Sequence, residues 1–403
     1  MVSMLYLDSV NMEADSGMNL KPNGDVLKWA RETEHKDIPE IARSLSVTDE
    51  EVVAWEGGEK TVPLGILRRF STLYQRPISF FFLPQAPTTS LITPEFRTFD
   101  SIKNSELSAQ TLLALRKTKF NRELYVDLLE RLKEPYKFNF PAISIEGNPE
   151  VFAAKVRKAL KVPKDIHEKL TNKSAALRYW ISLVEENGLL IFQYSLPRPE
   201  RGFCLHGEEG LPPVIVLSSG EEPAGRIFTV FHELGHILIQ EKANQLSYPR
   251  LEQFCNHFAG AFLVPKELLL SSKYCEKYLE DPSSDYWLSR LTSEFKVSAE
   301  VILRRLRMLN KITQSFYLEK VLEIKAQQDK RIQKKEETEK DGFLAPARKS
   351  FMNTGITMSS KLFEAHERGV IGTAELVRNF QSTSHTLPAI KAELSAAKKI
   401  YVG

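Results

Sequence analysis

Over residues 26–82 apolar positions recur every three or four residues in short runs broken by turn residues, which predicts a small all-helical domain. Ile38, Ala42 and Leu45 belong to one such run, Ser46-Val47 reads as a turn, and 48–57 reads as the next helix. Thr48 followed by Glu51 has capping-box spacing, because hydroxyl and carboxylate can each satisfy a backbone N–H of the first turn. Leu67, Phe70 and Tyr74 carry core spacing through 63–82, and the proline-containing stretch 83–87 then interrupts helix. Residues 105–133 resume a long apolar periodicity, as expected of a connecting helix.

From residue 148 the period changes. Helical spacing over 150–160 and 175–186 gives way, after Gly188, to the continuous apolar run 189–194, a strand, and 202–205 and 214–217 read as two more. Two helices follow over 224–240 and 251–263, the second ended by Pro265, then two more over 287–295 and 299–309. Residues 324–348 are dominated by charged and amide side chains, the pattern of a solvated helix face or a linker. Residues 351–394 regain enough periodicity for two or three packed helices. The expected fold class is therefore multidomain: an all-α domain, an α+β domain, and a C-terminal helical segment. The expected division is a polar tail 1–19, the helical domain 20–84, a linker and connecting helix 85–135, the α+β domain 136–312, a charged helix or linker 313–350, and the helical segment 351–403.

Charge and cysteine content narrow the function classes. A formal charge of +3 supplies no overall basic field for nucleic acid, so any DNA contact must come from a local patch. Cys204, Cys255 and Cys275 form no C-x-x-C pair, which fits buried free thiols in a reducing compartment. No secretory leader is read in residues 1–20 and no apolar run is long enough for a bilayer, so a cytoplasmic protein without a membrane partner is expected.

The chemistry concentrates at His232-Glu233-Leu234-Gly235-His236. On a helix, positions i and i+4 share a face, so both imidazoles can point at one ion with Glu233 beside it. The flanking sequences 227–231 and 237–239 are almost wholly apolar, the mark of a buried helix, where two histidines and a carboxylate are costly unless something binds them. Catalytic zinc commonly takes three protein ligands and leaves one position open. Glu252 is the preferred third ligand, with Asn256 on the same face as its support; His257 and Cys255 remain alternatives.

The stretch from Arg226 to His236, followed by Glu252-x-x-Cys-Asn256-x-Phe-Ala259 and Leu263-Val-Pro265, resembles the ImmA/IrrE family of metallopeptidases. Gly188 to Phe192 and Arg201-Gly-Phe203 resemble that family's sheet, so the similarity is expected to run over about 95–310, with Ser218-Ser219 departing where an Asn is expected. The resemblance implies a zincin-like fold, Zn2+ as cofactor, His232, His236 and Glu252 as ligands and Glu233 as general base. Tyr248 and Arg226 are weak oxyanion-donor candidates, and the strand 202–205 is a candidate to hold substrate by edge pairing.

Residues 25–82 resemble XRE-type helix-turn-helix domains, which implies DNA or partner contact through Thr48, Glu50, Glu51, Lys60, Arg68 and Arg69. Asp49, Glu50 and Glu51 open the expected recognition helix with three carboxylates, which oppose phosphate contact. A second such unit over 287–309 carries Arg304, Arg305 and Arg307, which either meet phosphates or simply finish the domain. Together these resemblances imply a regulatory peptidase that cuts a specific protein substrate, such as a repressor or toxin–antitoxin partner. DNA binding through 20–84 and a homodimer stand as open expectations. The alternative is a DNA-binding regulator or antitoxin whose zinc site is structural or vestigial.

Overall fold

The computed structural model describes residues 19–33, 36–74, 76, 78–86, 108–208, 210–239, 248–338 and 345–398. Two compact units, 1–94 and 95–403, make up the chain. The expected tail falls outside the described residues except for its last position, Asn19.

In the first unit, strand β1 (Asn19–Leu20) pairs antiparallel with β2 (Val62–Pro63), a ribbon too short to leave a period in the sequence. Helices α1 (Gly24–Thr33), α2 (Ile38–Leu45), α3 (Asp49–Glu56) and α4 (Leu64–Leu73) and a 3-10 turn (Ile78–Phe82) enclose a core that includes Val26, Ile41, Val52, Trp55, Phe70 and Phe81. Several of its polar side chains are used by the fold itself. Arg31 forms a bidentate pair with Glu56 (2.8 and 2.9 Å), and the Arg76 guanidinium lies over the rings of Trp29 and Phe80.

The second unit begins, among described helices, with α5 (Ala109–Leu132), capped by Ser108, whose hydroxyl accepts from Thr111 N. The expected start at 105 lies outside the described residues. Then follow α6 (Pro149–Ala159), α7 (Ile166–Lys169), α8 (Lys173–Glu186) and a three-stranded sheet of β3 (Leu190–Tyr194), β4 (Gly202–Leu205) and β5 (Val214–Ser218). The spatial order is β3-β5-β4: β5 is central, parallel to β3 and antiparallel to β4, which is an edge strand.

Because side chains alternate along a strand, the sheet has two faces. Ile191, Cys204, Ile215 and Leu217 belong to a core shared with α8 and with two further helices, α9 (Pro223–Leu238) and α10 (Tyr248–Leu263). Leu190, Phe192, Phe203, Val214 and Val216 belong to a second core, shared with α5 and the chain's last helices.

After α10 come α11 (Lys266–Ser271), α12 (Lys273–Glu280), α13 (Asp285–Phe295), α14 (Ala299–Met308) and the 25-residue α15 (Gln314–Thr338), which occupies much of the expected charged helix or linker. The C-terminal segment contains α16 (Pro346–Thr354), α17 (Ile356–Glu367), α18 (Thr373–Asn379) and α19 (Leu387–Lys398). These are more than the two or three expected, because a turn and 3-10 step between Phe380 and Thr386 splits the last periodic stretch. The chain is mostly helical with a small mixed sheet. No described helix is long and apolar enough to cross a membrane.

Candidate metal centre

Helix α9 is anchored by its apolar face: Ile227, Val230, Phe231, Leu234 and Leu238 are buried in the first core. Phe231 stacks on Phe262 of α10 with ring centroids 4.0 Å apart, and Trp180 meets both rings edge-on. Gly235 sets the approach of the two helices, since a Cβ there would lie 3.2 Å from Cys255 Sγ and 3.4 Å from Cys255 Cα. That close crossing brings Glu252 to the histidine pair. Gly202 does the same on the sheet side, where a Cβ would stand 2.8 Å from Thr229 Cγ2 of α9.

His232, His236 and Glu252 converge. The two Nε2 atoms are 3.1 Å apart, His236 Nε2 is 3.1 Å from Glu252 Oε1, and His232 Nε2 is 3.4 Å from Glu252 Oε2. A tetrahedral ion with ligand bonds of about 2.0–2.1 Å needs its ligand atoms roughly 3.3 Å apart, so the triangle has the right size for zinc. The donor chemistry agrees. With both rings protonated at Nδ1, two nitrogen lone pairs and a carboxylate face one point, an arrangement that a cation resolves. Both Nδ1 atoms are buried without a hydrogen-bond partner among the described residues.

Electrostatics tie the three residues together. Burial alone would lower the His232 pKa, but the Glu252 hydrogen bond and the charges of Glu233 and Glu252 raise it. Burial would raise Glu252, yet hydrogen bonds from His232 and His236 hold its carboxyl well below the usual range. Glu233 is nearly buried on α9. Burial first, then the neighbouring Glu233 charge, pushes the Cys204 thiol of β4 well up. Cys204, Cys255 and Cys275 are buried free thiols, as expected; what the sequence reading did not use is Gly235, whose place inside the motif was the signal for a close helix crossing.

The alternatives for the third ligand fall elsewhere. His257 Nε2 sits 2.8 Å from Glu150 Oε1, and Glu150 also pairs with the fully buried Arg305, whose Nη2 lies 3.1 Å from Oε2. Cys255 is packed behind Gly235, outside the converging cluster. Asn256 lines a neighbouring cleft and makes no hydrogen bond to Glu252 among the described residues, so it does not support that carboxylate as expected. Arg226 donates to Gln193 Oε1 at 2.7 Å, and the Tyr248 side chain lies outside the described residues. Arg304 pairs with Glu300, while Arg305 donates to Val264 O at 2.9 Å, so this arginine helix closes the domain's core.

The residues expected to meet DNA or a partner are all on the first unit. Thr48 accepts from Glu51 N at 3.3 Å while Glu51 accepts from Thr48 N at 3.0 Å, the reciprocal cap read from the spacing. Arg69, expected as a DNA or partner contact, donates to the carbonyls of Leu45 (2.6 Å) and Ser44 (2.8 Å), closing the end of α2. Glu50, Lys60 and Arg68 are exposed.

A small mixed sheet backing a helix that bears H-E-x-x-H, crossed by a second helix that contributes a glutamate, is compatible with an α+β zincin-like domain. Residues 176–307 match the peptidase family model described as the IrrE N-terminal-like domain, which supports the ImmA/IrrE resemblance over that stretch. The match is narrower than the expected 95–310, leaving α5, α6 and α7 outside it, but it contains all three cluster residues and Glu233. No curated protein matches the chain.

Proposed function

We propose that this protein is a regulatory zinc-dependent endopeptidase in which His232, His236 and Glu252 hold the metal and Glu233 is the general base. The observation that carries this reading is the triangle of donor atoms on α9 and α10. Zinc bound there supplies Lewis acidity and lowers the pKa of water at the site toward ~7. Glu233 takes the water proton and delivers it to the departing amine, a role suited to a carboxylate one helical position from a ligand. Its near-burial beside apolar residues limits competing solvent. The outer edge of β4 supports a substrate held as an added strand.

The substrate class we propose is a specific protein, such as a repressor or toxin–antitoxin partner, and the first unit recognises a protein or a second copy of the chain. Supporting this, Thr48, Glu51 and Arg69 are engaged within their own fold, and the opening turn of α3 carries Asp49, Glu50 and Glu51. DNA contact through residues 20–84 is then weak, with a salt dependence of about two to four phosphates.

Elemental analysis and a cleavage assay on candidate repressor proteins test the site together. Wild type should carry one zinc and cut; Glu233→Gln should keep zinc and lose cleavage by about 100-fold or more. Zinc-free wild type, or a Glu233→Gln protein that cuts normally, would sink the assignment. Nanomolar promoter binding with a steep salt slope would instead favour the DNA-binding regulator.

A further inference from the structure

Beside the donor triangle lies a cleft of about 630 Å³ formed by α10, α14 and the start of α15. None of the three donors lines it, but it neighbours the site along α10 and α14. Asn256, on its wall, is one helical turn beyond Glu252, and Arg304 Cζ lies 5.5 Å from the Phe228 ring, itself 6.1 Å from the His232 ring. The lining is polar: Gln253, Asn256, Asn310 and Gln314 present side-chain amides with no hydrogen-bond partner among the described residues. Acidic groups nearby are already paired, Glu300 with Arg304 and Glu150 with Arg305 and His257. Arg307 is different. Its guanidinium lies over the Tyr317 ring (Cζ 5.7 Å from the centroid) and has no carboxylate partner among the described residues.

A water-accessible cleft ringed by amides around one uncompensated guanidinium, oriented by an aromatic face, suits a carboxylate better than an apolar group. Pockets for apolar ligands are lined mainly by hydrophobic side chains, which this one is not. In an extended peptide, residues i and i+2 project on the same side roughly 7 Å apart, comparable to the rise of about 6 Å over the four residues from Glu252 to Asn256. We infer that this cleft is a specificity subsite that takes a Glu or Asp side chain of the substrate, placed within about two residues of the bond to be cut, with Arg307 as its anchor. The inference rests on the peptidase reading for the direction of the peptide.

The test separates the two. Full-length protein bearing Glu233→Gln, with and without zinc, is titrated with two fluorescein-labelled alanine-rich decapeptides that differ only in Glu against Gln. The Glu peptide should bind about tenfold tighter, as expected for one charge-assisted contact. Arg307→Gln should erase the difference and Arg307→Lys should keep part of it. Asn310→Asp, which leaves Arg307 in place, should weaken the Glu peptide selectively. Equal binding of both peptides, or a Glu preference that survives Arg307→Gln, overturns the subsite. Inorganic phosphate that saturates the cleft and removes the preference at micromolar concentration would make it a small-anion site instead. A preference that persists while wild type binds no zinc and cuts nothing keeps the subsite and removes the peptidase reading.

Discussion

The two units treat their polar residues differently. In the first, several polar side chains, buried and exposed, find partners inside the fold: Arg31 with Glu56, Thr48 with Glu51, and Arg69 with two carbonyls. In the second, most do likewise, as Glu150 with Arg305 shows, but the histidine pair crowds onto the single carboxylate of Glu252 and leaves both Nδ1 atoms without a partner among the described residues. Two imidazole nitrogens and a carboxylate gather at one point. A missing partner alone does not indicate an outside ligand, since the buried His167 ring also lacks one among the described residues and simply packs on Phe295; several donors converging on one point do. The amide-lined cleft with Arg307 is a second, weaker instance of the same rule.

The strongest way to break this contrast is to remove a donor. Glu252→Ala or His236→Ala should lower zinc affinity by at least about 100-fold while leaving the fold intact, read by metal analysis beside circular dichroism. Retention of full zinc content would mean the cluster is an ordinary hydrogen-bonded core.

A smaller effect, on stability, is expected at the paired group. Burial alone would raise Glu150, but hydrogen bonds from His257 and Arg305 hold it at about 2. Its folded pKa is depressed, so its contribution is present above the unfolded value near 4.5 and is lost as pH falls toward 2. Arg305→Met should cost about 3 kcal/mol at pH 7, measured by denaturant titration, because it strands that carboxylate.

His167 gives a pH signature in a separate window. Burial, then the charges of Arg157 and Lys296, push its pKa down to about 3, and its ring packs on Phe295. The folded state stays neutral while the unfolded chain takes a proton below about 6.5, so stability falls as pH drops from 6.5. The slope from this one group approaches about 1.4 kcal/mol per pH unit, and His167→Leu should remove it between pH 6 and 4.5. An unchanged slope in that variant would show that His167 is hydrated.

The mildest perturbation belongs to the first unit. Thr48→Ala should cost about 1 kcal/mol through loss of the cap and leave zinc content unchanged. A change in zinc would couple two regions that the contrast treats as independent.

The histidine positions were legible because the helical period fixes which residues share a face, and the cap at Thr48 was legible because it is local in sequence. Glu252 was reachable by the same arithmetic once a second helix was accepted. Its support was not: whether Asn256 turns toward the carboxylate or toward a cleft depends on how α10 meets α14, a long-range packing fact. Arg305 looks like Arg304 and Arg307 in sequence, yet it is wholly buried because Glu150, far upstream, meets it. The extra C-terminal helices were missed because short helices separated by tight turns carry little period.

The two-faced sheet bears on how the chain matures. Helices α9 and α10 lie well before α16 to α19 in the order of synthesis, yet Phe192, Phe203, Val214 and Val216, on the reverse of the strands beneath them, share a core with Phe351, Met358, Leu362 and Ile390. Glu185, at the end of α8, accepts from Ile191 N and Ile356 N, so one carboxylate ties β3 to the start of α17. A nascent chain that has released its histidine helix from the ribosome therefore still exposes an apolar sheet face. Residues 346–398 must arrive before that scaffold is closed, so the sheet behind the centre is completed only once those helices have been made.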